Sequence, residues 1–308
     1  MKQLAEAWNR FWFREANTST LGAVRVLFGA VVLAWAISLA PDLFSFFSKH
    51  GMVPVAPPCP HCFNLLDRFP GNHALVVLYG GLLVAAGSLI VGCWSRLSAF
   101  VVFVAVLSLE RRNPFVFNSG DLLIRNFALF LALAPSGASL SVHRWRRARE
   151  RFWEFPRRPM WALRLMQVQM TLVYGVAVLT KLRGTAWVDG TAVGYVLRLA
   201  DATRFLEPTA VARSLSLVRL LTYSTLCIEA TLAVLVWNRR LRSRALVAGL
   251  ILHACIELTL LVGFFSFALL VGYVAFVPPE TMAPLLLSAR DRVRRALPVP
   301  TRGAPAGA

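Results

Sequence analysis

ALVVLYGGLLVAAGSLIVGCWS, residues 74–95, carries no Asp, Glu, Lys, Arg or His. As a helix this stretch rises about 33 Å, enough to cross a hydrocarbon core of about 30 Å. In lipid each backbone N–H and C=O needs a partner within the segment, so such a run folds as an α-helix. Working outward, further apolar segments lie at 20–47, 97–109, 121–137, 160–182, 209–237, 244–261 and 263–277. The expected fold is all-α: a polytopic α-helical membrane bundle of about eight transmembrane spans. Segments 97–109 and 263–277 fall short of the usual ~17-residue minimum. They are expected to tilt, to be extended by polar residues, or to wrap around a wet site.

The chain is 57% hydrophobic and only 16% charged, where a soluble domain carries about 25% charged residues. Its net charge of +18 comes from 33 Lys+Arg against 15 Asp+Glu. No nucleic-acid module is visible, so nucleic acid is excluded as a partner; the bilayer's anionic headgroups are the expected one. Basic residues concentrate in the N-terminal tail, at Arg96, in 143–158, in 238–244 and after Arg290. The positive-inside rule puts these together in the cytoplasm, with both termini, for a multi-pass protein of the cell membrane. No cleavable signal peptide is expected. Residues 1–17 read as an amphipathic interfacial segment, 18–285 as one transmembrane domain, and 286–308 as a basic, disordered tail.

An ionisable group inside a span costs at least ~2.5–3.5 kcal/mol unless it is paired or solvated. Lys181, His253 and Glu257 break the apolar pattern, as do Asn118 and Asp121 opening one segment and Arg111, Arg112 and Asn113 closing another. On the orientation above they share the outer side, which is the pattern of a polar site. Each also has a structural reading. Lys181 can snorkel to the headgroups, Asp121 can cap a helix, and His253 with Glu257 can form a packing hydrogen bond. Glu229 is expected to pair with Arg219 or Arg25. The 253/257 pair is not the HExxH zinc pattern, and no metal is assigned. Arg fills all basic positions but Lys2, Lys49 and Lys181. A desolvated lysine can release its proton and act as a base, whereas an arginine stays charged.

Residues 57–63, PPCPHCF, hold a CxxC at Cys59 and Cys62. The Cys-Pro-His-Cys tetrad resembles the centre of periplasmic thiol oxidases, where a low-pKa cysteine makes an oxidising disulfide. No thioredoxin-like βαβ pattern surrounds it. A loop disulfide, a redox pair and a metal site stay open as readings.

Four stretches together carry a family resemblance: TLGAVRVLFG (20–29), SLERRNPFVFNSGDLLIRNFALFLALAPSG (108–137), YGVAVLTKLRGTAWVDGTAV (174–193) and HACIELTLLVGFFSFALLVGYVAFVPPE (253–280). In this order they resemble the horizontally transferred transmembrane (HTTM) domain family, whose known enzyme is the vitamin K-dependent γ-glutamyl carboxylase. The resemblance implies a membrane-embedded amine that deprotonates a reduced quinone of the vitamin K type. The oxygenated quinone then acts as a strong base and leaves as an epoxide. It places Lys181 at that amine, with His253 and Asn118 as further catalytic positions. Trp187, Arg111, Arg112, Asn113, Asp121 and Glu257 are expected to line the substrate cavity. Two departures are visible. Ser119 stands where the catalytic histidine would follow Asn118, and no propeptide-capturing C-terminal domain is expected. Three functions follow as alternatives: a carboxylase-like enzyme acting on a quinol or lipid, a thiol-redox protein using Cys59 and Cys62, and a non-catalytic lipid- or peptide-binding maturation partner.

Overall fold

The computed structural model describes residues 1–55, 63–69, 71–199, 203–205 and 209–296. Ten helices organise them: α1 (Lys2–Phe13), α2 (Ser19–Leu39), α3 (Asn72–Val91), α4 (Ser95–Arg112), α5 (Ser119–Leu133), α6 (Trp161–Lys181), α7 (Leu215–Val234), α8 (Arg242–Thr259), α9 (Phe265–Val274) and α10 (Pro279–Ala296). Helices α2 to α9 correspond to the eight apolar segments. By length and apolarity α2, α3, α6 and α7 suffice to cross a membrane, α7 with its 3-10 extension to Trp237. A fifth crossing arises if α9 and α10, bent by 105° at their junction, act as one unit. The others are shorter or interrupted by charge. Cys59 and Cys62 lie outside the described residues, as does 297–308.

The boundaries have local causes. The first segment was expected to run to residue 47, but α2 ends at Leu39 and a separate turn forms at Leu43–Phe47. Pro41 has no N–H to donate, so the helical hydrogen-bond ladder cannot continue through it, although Ala40 before it keeps helical backbone. Likewise Ser214 splits the sixth segment, its hydroxyl accepting from the Leu217 N–H at the start of α7. Short β1 (Glu15–Asn17) and β2 (Arg157–Pro159), unanticipated in an all-α reading, pair antiparallel with Ala16 opposite Arg158.

Helix α2 lies at the heart of the bundle, burying Val24, Phe28, Val32 and Trp35. Small residues let its neighbours approach, because lipid offers little hydrophobic drive and packing must supply the adhesion. At Gly29 a Cβ would come within 2.9 Å of the Ile90 amide on α3. Arg125 of α5 pairs with Glu110 of α4 at 2.6 Å, removing two lone charges from the apolar region. Arg25 is fully buried on α2. It donates to the carbonyls of Leu89 at 2.8 Å and Leu140 at 2.5 Å.

The basic segments gather at one end of the bundle. Strand β1 joins β2 there, α1 packs on the start of α6, and Arg290 of α10 lies 5.5 Å from the Trp153 ring. Helix α2 meets the α9–α10 junction at the same end: the Ser19 and Thr20 hydroxyls donate to the carbonyls of Pro279 and Val277, at 3.1 and 3.0 Å. Lys181, closing α6, is at the opposite end.

Candidate functional site

Tyr174, Ala177 and Lys181 recur at helical spacing on α6 and face one cavity of about 480 Å³. Its walls are mostly apolar side chains of α6, α7 and α8 and of the segments joining α6 to α7 and α8 to α9. The chain turns sharply after Lys181, with the Gly184 N–H donating to the Lys181 carbonyl at 2.9 Å. This brings the short helix Thr185–Val188 back over the end of α6. The Lys181 ammonium sits 4.9 Å from the centre of the Trp187 ring, within cation–π range.

Lys181 forms an ion pair with Glu229 of α7, in place of the expected Arg219 or Arg25 pairing. Arg219 is exposed, and Arg25 is held by backbone carbonyls elsewhere. The pair engages only Oε1 of Glu229. Its Oε2 is buried and has no hydrogen-bond partner among the described residues. A buried, unmatched carboxylate oxygen at a cavity wall is costly, and a ligand donor relieves that cost.

His253 of α8 is 3% exposed and lines the same cavity. Its Nε2 is hydrogen-bonded to the Tyr174 hydroxyl at 2.9 Å, and Nδ1 lies 3.4 Å from the Ser266 hydroxyl. Tyr174 is in turn 2.5 Å from the Tyr273 hydroxyl. Gly249, one turn before His253, makes room for Tyr273: a Cβ there would lie 2.9 Å from the phenol ring. Lys181 and His253 thus share a chamber without bonding each other.

The remaining sequence candidates stand apart from this chamber. Arg112 donates to the Ser48 and Val53 carbonyls at 2.6 and 2.8 Å, and Asn113 donates to Phe46 at 2.9 Å. These two pin the loop after α2, while Arg111 is exposed. Asp121 and Asn118 form a reciprocal capping box at the start of α5. The Asn118 amide also reaches the Val262 carbonyl at 3.4 Å, behind a cavity wall. Glu257 pairs with Arg204, while His253 bonds Tyr174 and Ser266, so the two share a face of α8 without the 253/257 hydrogen bond. Tyr174, Tyr273 and Ser266 were not singled out from sequence. Tyr174 had a signal, standing two helical turns before Lys181.

The HTTM domain profile matches residues 13–280. This chain belongs to the HTTM domain family. The match takes in the whole cavity and both lysine- and histidine-bearing helices of this HTTM domain. No curated protein and no solved structure matches the chain.

Proposed function

We propose that this HTTM protein binds a lipid-soluble substrate with a weakly acidic hydroxyl in the α6–α8 cavity, and that Lys181 removes its proton. A reduced quinone of the vitamin K type is the favoured substrate. The observation that carries the reading is the joint presence of Lys181, the half-satisfied Glu229 and His253 on one apolar chamber. The chamber's size falls within the ~300–1,000 Å³ range of small-molecule sites. Transfer of the ammonium proton to Glu229 frees the amine's lone pair, which then accepts the substrate hydroxyl's proton. The anionic substrate oxygen is stabilised by donors on the wall, with Tyr174 and His253 the nearest candidates. Trp187 offers a flat face for an aromatic ring.

Carboxylation of a peptide glutamate is not part of this proposal, because Ser119 replaces the histidine that the family resemblance calls for and Asn118 caps a helix. The site sits in the cell membrane on the outer side, with both termini cytoplasmic. The gathering of the basic segments at the opposite end supports that orientation. Purified protein supplied with a reduced naphthoquinone and dioxygen is expected to convert them to the quinone epoxide and water, and Lys181→Arg to abolish this. Full activity in Lys181→Arg rejects the role of the amine. A second reading, a non-catalytic holder of a lipid or peptide, draws support from the Lys181–Glu229 pairing, which balances the charge of the protonated amine. Full biological function in Lys181→Ala/His253→Ala favours that reading over the enzyme.

A further inference from the structure

A second and larger cavity, about 780 Å³, opens at the basic end of the bundle, one length of α6 (about 30 Å) from Lys181. Four arginines line it: Arg14 after α1, Arg164 on the first turn of α6, Arg239 before α8, and Arg242 opening α8. Among the described residues none of the four has a carboxylate within ion-pair distance. Glu280 is the one acidic residue on the wall.

Two of the guanidiniums are held in place. Arg164 donates through Nε to the Phe11 carbonyl at 3.1 Å and through Nη1 to Gln167 at 2.7 Å, and it packs 4.9 Å from the Phe11 ring. Arg242 donates through Nε to the Val236 carbonyl at 3.0 Å. Among the described residues, Arg164 Nη2 and both Nη atoms of Arg242 have no protein acceptor. The amino ends of α6 and α8 reach the same wall, adding the positive poles of two helix dipoles. Four like charges at two positive helix ends repel one another, and an anion removes that repulsion. Leu246 and Phe276 supply an apolar side to the same chamber.

We propose that this cavity is a phosphate-binding site, in which Arg14, Arg164, Arg239 and Arg242 grip the phosphate of an anionic lipid headgroup or of a soluble phosphate. Guanidiniums suit phosphate because their planar forks match its oxygens. Basic pockets between helices on the cytoplasmic side are a recurring solution for headgroup capture.

The test uses the full chain purified in neutral detergent. One arm titrates phosphatidylglycerol and, as comparison, phosphatidylcholine, counting lipids by native mass spectrometry. The other measures inorganic phosphate by equilibrium dialysis. Saturable one-site binding is expected in at least one arm. Phosphatidylglycerol retention identifies a lipid source, and inorganic phosphate binding identifies a soluble one. Arg14→Gln/Arg239→Gln is expected to weaken binding at least about tenfold. Arg146→Gln/Arg147→Gln, on exposed residues away from the cavity, is expected to leave it within about twofold. If the first double variant does not fold, Arg239→Gln alone gives the same reading at about threefold. Absence of binding in both arms, no loss in the cavity variants, or an equal loss in the distant pair overturns the proposal.

Discussion

Arg25 and Lys181 are both cations that the bundle has taken out of bulk water, and they are treated in opposite ways. Arg25 faces fixed backbone acceptors: carbonyls of Leu89, Ser139 and Leu140, the first at the carboxyl end of α3 where the helix dipole is negative. These backbone carbonyls do not titrate. Lys181 faces a carboxylate that keeps one oxygen unmatched, an aromatic ring, and open space. Backbone acceptors on both Nη atoms make a structural post, even though the buried Nε finds no partner among the described residues; a partly satisfied pair against a cavity makes a place where a ligand can enter. The lesson is to ask whether a cavity meets the atom that a buried charge leaves unmatched.

The comparison breaks most sharply at Arg25. Arg25→Leu is expected to cost about 4 kcal/mol, because several buried carbonyls lose their donor together. Folded yield by size-exclusion chromatography in detergent should fall to near zero, and a well-folded variant would refute the post. Gly92→Ala comes next, at about 2–3 kcal/mol. Gly92 has φ +73°, which an L side chain rarely adopts, and its Cβ would press on the Arg25 guanidinium. The expected readout is a lowered melting temperature.

Lys181→Met is expected to cost less, about 1–2 kcal/mol, since the lysine is 23% exposed at its side chain. Adding Glu229→Gln should recover part of the loss. A double-mutant cycle measured by thermal unfolding should give a coupling of about 1 kcal/mol; zero coupling would mean the ion pair contributes nothing. The smallest effect belongs to Tyr174→Phe, at about 1 kcal/mol, through the lost hydroxyl between His253 and Tyr273. Its melting temperature should drop modestly while the circular dichroism spectrum is unchanged.

The helices were legible because lipid imposes one demand, continuous apolar length, that can be counted along the chain. Lys181 and His253 were legible for the complementary reason, as charges and polar rings in costly places. Their partners were not. Whether Glu229 meets Lys181, Arg219 or Arg25 depends on how each helix is rotated about its axis, and near-uniformly apolar helices such as α3 carry no stripe from which to read a rotation. Tyr174 and Tyr273 look like packing aromatics until α6, α8 and α9 are set side by side. Arg112 and Asn113 looked like site residues because their distance from the loop after α2, which they pin, cannot be counted along the sequence. The β1–β2 pairing joins two stretches too short to show any alternation.

The hydrogen bonds from Ser19 and Thr20 to the α9–α10 elbow bear on how the protein is made. Those two hydroxyls leave the ribosome some 260 residues ahead of their acceptors. During most of synthesis the opening helix must therefore wait in the bilayer without its final neighbours. Chains halted before Pro279 should remain susceptible to protease at that end, and arrival of the α9–α10 elbow should act as the latch that closes this bundle.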